Sequence, residues 1–241
     1  FIFLIIFYLT SLKKLDKNIN YFFSINFYKS RESKNLIKFS FMPIISLLAS
    51  MGLFIIIRNE IGAYLDWESV GLWSGLKKIS DSFISMIAIL MTTYYVPALA
   101  KTKDKIQTNL EVIYLAKRII PLSFIILSTI YFLRHMIILL IFSEEFIQIE
   151  ALFLWQLLGD FFKVCAFVFS YVFLAKAMVW LVVILEICFV ILFWIIFKPM
   201  MVSYGLLGLA FTHIIVYACY LIICSILYYL LYTKSKSINH E

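Results

Sequence analysis

Apolar residues along this chain run in long blocks, not in one-sided stripes. Six stretches, at residues 36–57, 76–100, 119–142, 151–175, 178–197 and 204–232, are mostly apolar. A helix of about 20 such residues rises about 30 Å, the thickness of a bilayer's hydrocarbon core. Helices that are apolar all round leave no face for water, so the pattern predicts six membrane-spanning helices in an all-α integral membrane protein. Pro43, Pro97, Pro121 and Pro199 fall near block ends, where a missing N–H does least harm. A shorter apolar block, Phe1 to Thr10, opens the chain with no Met or basic segment before it. It is too short to span and lacks the flanks of a signal peptide, so it reads as the end of a truncated transmembrane helix. The resulting plan is that helix end at 1–10, a basic cytoplasmic and interfacial loop at 11–35, a six-helix membrane domain at 36–232, and a cytoplasmic tail at 233–241.

Composition agrees: 64% of the residues are hydrophobic and the mean hydropathy is +1.00, where soluble domains run at about 45–50% apolar. The net charge of +7 sits mainly in the connections, which argues against a nucleic-acid partner. Lys13, Lys14, Lys17, Lys29, Arg31, Lys34 and Lys38 fill the first connection; Lys101, Lys103, Lys105, Lys117 and Arg118 fill the one after the second span. The alternate connections carry Glu60, Asp66 and Glu68, then Glu144, Glu145 and Glu150. By the positive-inside rule the basic connections and the C-terminus are cytoplasmic. Tyr21, Phe22, Phe23, Phe27 and Tyr28 suit a segment lying against membrane lipid, and Trp67 and Trp73 suit an interface belt. Cys165, Cys188, Cys219 and Cys224 sit in apolar blocks without metal or redox spacing, which reads as packing.

Polar residues inside the blocks carry the chemistry. Counting 100° per residue, Gln156, Asp160, Lys163 and Ser170 share one face of the fourth span. Lys77, Asp81, Ser85, Thr92 and Tyr95 share a face of the second, and His213, Tyr217, Tyr220 and, less closely, Tyr228 of the last. Three stripes on otherwise apolar cylinders suggest a hydrated central cavity. A charge at mid-bilayer costs about 2.5–3.5 kcal/mol on insertion scales, so intramembrane ions are candidate functional groups. Each also has a plainer reading. Asp160 and Lys163 could neutralise each other three residues apart, Lys77 and Arg134 could reach the interface, and His213 reads as a packing histidine. Glu186 is a solitary carboxylate. No HExxH, GxSxG or phosphate-binding glycine loop occurs, so nothing calls for an enzyme, a cofactor or a metal.

The segment Trp155-Gln156-Leu157-Leu158-Gly159-Asp160-Phe161-Phe162-Lys163, followed by Tyr171 and Ala175-Lys176-Ala177, resembles Wzx-type flippases of lipid-linked oligosaccharides. The similarity is strongest to the O-antigen and lipid III branch. Trp67-Glu68-Ser69-Val70-Gly71-Leu72-Trp73, Ile79-Ser80-Asp81 and Tyr95-Val96-Pro97-Ala98-Leu99 fit in the same order. The resemblance implies the MOP superfamily, with two six-helix lobes of MATE-like architecture around a cavity. The chain would then be the C-terminal lobe plus the end of the preceding helix, with an N-terminal lobe of the same protein as its partner. It further implies transfer of undecaprenyl-diphosphate-linked oligosaccharide, such as an O-antigen unit, across the bacterial inner membrane. On that basis Lys77, Lys163, Arg134 and Gln156 are candidates for binding the anionic head group or glycan. Asp81, Asp160 and Glu186 are candidates for ion or proton coupling, since a buried carboxylate can cycle between charge states. The alternatives are a MATE-type cation or drug antiporter and a membrane polysaccharide polymerase or glycosyltransferase.

Overall fold

The computed structural model describes Leu48 and residues 51–232. The helix end expected at 1–10, the loop at 11–35, most of the first expected span and the tail at 233–241 lie outside the described residues. Regular structure within them is helical throughout. Helix α1 occupies 51–64, and Asp66 then caps α2 (Trp67–Leu90) by accepting the Ser69 N–H at 2.6 Å from an extended backbone. A π-helical turn, Met91–Tyr95, joins α2 to α3 (Val96–Lys101), making a 35-residue rod. Pro97 sits in the first turn of α3, directly after the π turn. A proline inside a regular α-helix clashes with the carbonyl four residues back, and the wider π turn gives that carbonyl room.

The rest of the chain is α4 (Lys105–Phe132), α5 (Arg134–Ile141), a 3₁₀ segment at Glu144–Ile149, α6 (Glu150–Ala175), α7 (Val179–Tyr204) and α8 (Leu206–Tyr232). By length and composition four described helices can cross a membrane, and five if α4 and α5 count as one bent span. These five correspond in order to the last five expected spans. The expectation at 119–142 needs correction: the helix starts at Lys105 and breaks at Leu133, where α5 turns through 68°. Arg134 occupies the break. Its Nη1 donates to the Tyr131 carbonyl at 2.9 Å, and its Nε lies 3.6 Å from Glu150 at the start of α6. His135 meets the same carboxylate at 2.5 Å. The fifth span also runs on past 197 through Lys198 and Pro199, stopping at Gly205 with φ +57°.

Helix α6 is the hub. It packs against α2, α3, α4, α7 and α8, and half of its most apolar stretch is buried, against 17% for α7. Lipid is as apolar as leucine, so between such helices close van der Waals fit and hydrogen bonds matter more than the hydrophobic effect. Small residues provide the fit. A Cβ on Gly208 would strike the Met200 carbonyl, and one on Gly75 would come within 2.8 Å of Phe146. Lys176, just past the end of α6, donates to the Leu99 carbonyl (2.9 Å), the Thr102 carbonyl (2.8 Å) and the Thr102 hydroxyl (2.7 Å). An ammonium thus closes the carbonyl end of α3, where the helix dipole favours positive charge.

Two apolar clusters result. The larger joins α2, α4, α6 and α8 around Phe83, Ile87, Phe153, Val164 and Phe173. The smaller joins α1, α2, α7 and α8 around Ile57, Ile61, Trp73, Phe197 and Val216. Trp73 stacks on Phe54 at 5.3 Å within this second cluster and is only 6% exposed, so it is a core residue, not part of an interface belt. Lys198 of α7 pairs with Glu60 of α1 at 3.3 Å and fastens its edge.

Candidate functional site

The three polar stripes meet where α1, α2, α6, α7 and α8 converge. A cavity of about 280 Å³ lies there. Its polar lining is Lys77 and Asp81 from α2, Gln156 and Lys163 from α6, and His213 and Tyr217 from α8. Phe54, Trp73, Phe189 and Phe193 are among its apolar wall.

Behind this wall stands Asp160, fully buried. One oxygen accepts the Ser80 hydroxyl at 2.6 Å; the other meets His213 Nε2 at 2.9 Å. Gln156 donates to Ser80 Oγ at 3.1 Å and lies 3.2 Å from the same His213 nitrogen. That nitrogen can serve one partner at a time. Carrying a proton, it donates to Asp160; without one, it accepts from the Gln156 amide. Four side chains from three helices therefore form one closed network, and hydrogen bonds compensate the buried carboxylate. Gly159 makes the approach possible, because a Cβ there would run into the His213 ring.

Lys163 is left to the cavity. The Asp160 oxygens are occupied, and the Lys163 ammonium forms no ion pair among the described residues; it lies 5.0 Å from the Tyr217 ring centre. The i,i+3 neutralisation open to the sequence is not the arrangement found. Lys77 does pair, with Asp81 at 2.7 Å, both side chains partly exposed on the cavity.

Lys77, Asp81, Gln156 and Lys163 thus come together, with Asp160 just behind them. Arg134 stands elsewhere, at the α4–α5 break beside Glu150. Glu186 is half-buried on α7, outside the cavity lining, and has no hydrogen bond or ion pair among the described residues. The stripe on α2 divides. Ser85 and Thr92 are exposed and return their hydroxyls to carbonyls of their own helix, whereas Tyr95 turns inward to the Val168 carbonyl at 3.0 Å. The π turn Met91–Tyr95, which contains both Thr92 and Tyr95, inserts an extra residue into the register, which a uniform 100° count does not include. Ser80 and His213 were not singled out as site residues from sequence. The signal that could have found His213 is Gly159, a side-chain-free position beside a buried charge.

No protein-family model matches the chain. Over 189 residues it is 30% identical to the lipid III flippase of Escherichia coli (strain K12), covering 78% of this chain and 45% of that protein. The lipid III flippase of Shigella flexneri matches to the same extent. In fold it matches the bent form of the Vibrio cholerae MATE transporter VcmN with a TM-score of 0.66 and 17% identity, over 86% of this chain and 49% of that one. The chain spans about half the length of the proteins it matches. It is a multi-pass membrane protein with a MATE-like fold. Its sequence similarity runs to the lipid III flippases, so the resemblance read from the sequence is borne out.

Proposed function

We propose that this chain is the C-terminal lobe of a flippase of the bacterial inner membrane, with its C-terminus in the cytoplasm. The whole protein would move undecaprenyl-diphosphate-linked oligosaccharide, an O-antigen or related surface-polysaccharide unit, to the periplasmic leaflet. The observation that carries this reading is Lys163, an ammonium without an ion pair among the described residues, beside a cavity. Such a group suits an anion. At about 280 Å³ the cavity is too small for a whole oligosaccharide and serves as a subsite for its charged part. Lys163 and Lys77 attract that part, and the Gln156 amide and the Tyr217 hydroxyl offer hydrogen bonds to glycan or phosphate oxygens. The polyprenyl tail stays in lipid.

Coupling in this reading uses the shared His213 nitrogen. A proton there holds His213 on Asp160; its loss frees the Asp160 bond and engages Gln156, a residue of the cavity wall. Asp81 couples through its pair with Lys77, and Glu186 on α7 is the remaining candidate carboxylate. Arg134 acts through the bend that it and Glu150 hold. Transport itself needs the N-terminal lobe, against which this one rocks. In the full-length protein, Lys163→Leu should abolish flipping while the protein stays in the membrane at wild-type level, and Lys163→Arg should retain much of it. Normal surface polysaccharide in the Lys163→Leu strain overturns the assignment.

The fold match to a MATE transporter supports a second reading, a cation antiporter. The lining argues against it, with two ammonium groups to one carboxylate. Purified full-length protein that binds a lipophilic cation and ignores lipid-linked sugar would establish it.

A further inference from the structure

A second cleft, of about 420 Å³, adjoins the first. It is lined by Arg58 of α1 and by Trp67, Gly71, Ser74, Lys77, Lys78 and Asp81 of α2, with Phe54 in both walls. Lys77 and Asp81 also belong to both, so this ion pair stands between the two spaces. Phe54 is the wedge beside it, with Arg58 5.8 Å and Lys77 6.0 Å from its ring centre.

Three cations against one carboxylate line this cleft, and the carboxylate is already held by Lys77. Arg58 and Lys78 form no ion pair among the described residues, and both are exposed. Ser74 adds a second observation. Its hydroxyl oxygen is buried from water and has no hydrogen-bond partner among the described residues, whereas Ser82, eight residues further on, returns its hydroxyl to the carbonyl four residues back. Buried polar atoms in folded proteins almost always find a partner, so an orphan hydroxyl beside two free cations points to an absent acceptor. A tetrahedral oxyanion provides it: guanidinium and ammonium groups bind phosphate oxygens by charge-assisted bonds, and a serine hydroxyl donates to a third oxygen. A Cβ added at Gly71 would meet no atom within 4 Å, so the cleft is open at that position.

We infer that Arg58, Ser74 and Lys78 form a second anion site that takes a phosphate group, joined to the Lys163 cavity through the Lys77–Asp81 pair. The site lies near the α1–α2 turn, the end that the charge pattern assigns to the periplasm. It deepens the flippase reading by giving the diphosphate a place to go after Lys163, with the Lys77 ammonium changing partner from Asp81 to the passing phosphate. The same chemistry would also suit the phosphate of an ordinary phospholipid.

The test uses purified full-length protein in nanodiscs and two probes, undecaprenyl diphosphate and phosphatidylglycerol, with binding read by native mass spectrometry. The expected result is that Arg58→Gln with Lys78→Gln weakens undecaprenyl diphosphate binding about tenfold or more, the size expected for losing charge-assisted bonds. Ser74→Ala gives a smaller loss, and Arg58→Lys with Lys78→Arg restores binding, which separates charge from folding. Loss confined to phosphatidylglycerol supports the anion site and assigns it to membrane phospholipid. Wild-type-like binding of both probes by the double variant overturns the inference while leaving the Lys163 assignment standing. A wild-type protein that binds no undecaprenyl diphosphate overturns the flippase reading instead, and the phosphatidylglycerol result then decides this site alone.

Discussion

Asp160 shows what a single residue's surroundings decide. Six residues of the same stretch, from Gln156 to Phe161, contain an amide, a glycine and a carboxylate, and the glycine governs the other two. Because position 159 has no side chain, the His213 ring reaches across from α8 and closes the network. Gly159→Ala should therefore push the ring away, at a packing cost of about 1–3 kcal/mol. It should also break the bond to Asp160. The expected outcome is a protein that still inserts but flips at least tenfold more slowly, much as His213→Gln would. Flipping at the wild-type rate by Gly159→Ala would mean that the His213–Asp160 bond has no part in transport. Asp160→Ala should be harsher, at about 1–3 kcal/mol for each orphaned donor, because Ser80 and His213 both lose an acceptor in a place that water does not reach. A drop in thermal midpoint in detergent measures it. The sequence located the charged residues and their faces, since 100° spacing is a local property. It did not pair them, because Asp160's partners lie 80 positions before it and 53 after it.

Among elements, the rod from Trp67 to Lys101 depends on its two ends. At its start, Asp66 accepts the Ser69 N–H, and that bond holds its carboxyl below the usual carboxylate range. A group with a depressed folded value stabilises above the ordinary carboxylate range, and its contribution disappears as pH falls through the depressed value. Asp66→Asn keeps a cap that acid does not remove, so the variant's thermal midpoint should fall less than the wild type's when pH is taken below about 4. At the other end, Lys176 closes the α3 carbonyls. Lys176→Met removes the charged donor that bridges the Leu99 and Thr102 carbonyls, at about 1.5–3 kcal/mol. Faster amide exchange around residues 99–105, with the core of α6 unaffected, is the expected signature. Element ends were the least legible feature. Hydropathy reports the slab of hydrocarbon, whereas a helix continues for as long as its backbone bonds are made. Hence α4 begins among Lys105 and Glu111, and α7 continues through Lys198. The break at Leu133 was hidden for a different reason: it depends on Glu150, which approaches from the following helix.

At the scale of the whole molecule, the fold was readable because a bilayer permits few solutions. Helices must satisfy their own backbone, and long apolar blocks announce them. The same economy makes the cavity's charge the feature that separates one transporter from another on a shared fold, since the apolar walls choose neither sign. Its lining holds Lys77, Lys163 and Asp81, with Asp160 behind and its oxygens already occupied. Lys163 is thus the charge that sets the sign presented to a ligand. Lys163→Glu should invert it, giving two lining carboxylates to one ammonium. In low-dielectric surroundings such a change alters ligand preference far more than in water. Full-length Lys163→Glu should lose undecaprenyl diphosphate binding by about a hundredfold and gain measurable affinity for a lipophilic cation such as tetraphenylphosphonium, with both read by equilibrium binding on the purified protein. Loss of the first without gain of the second would mean that cation binding needs more than cavity charge. Retention of the first would mean that the diphosphate does not enter this lobe beside Lys163.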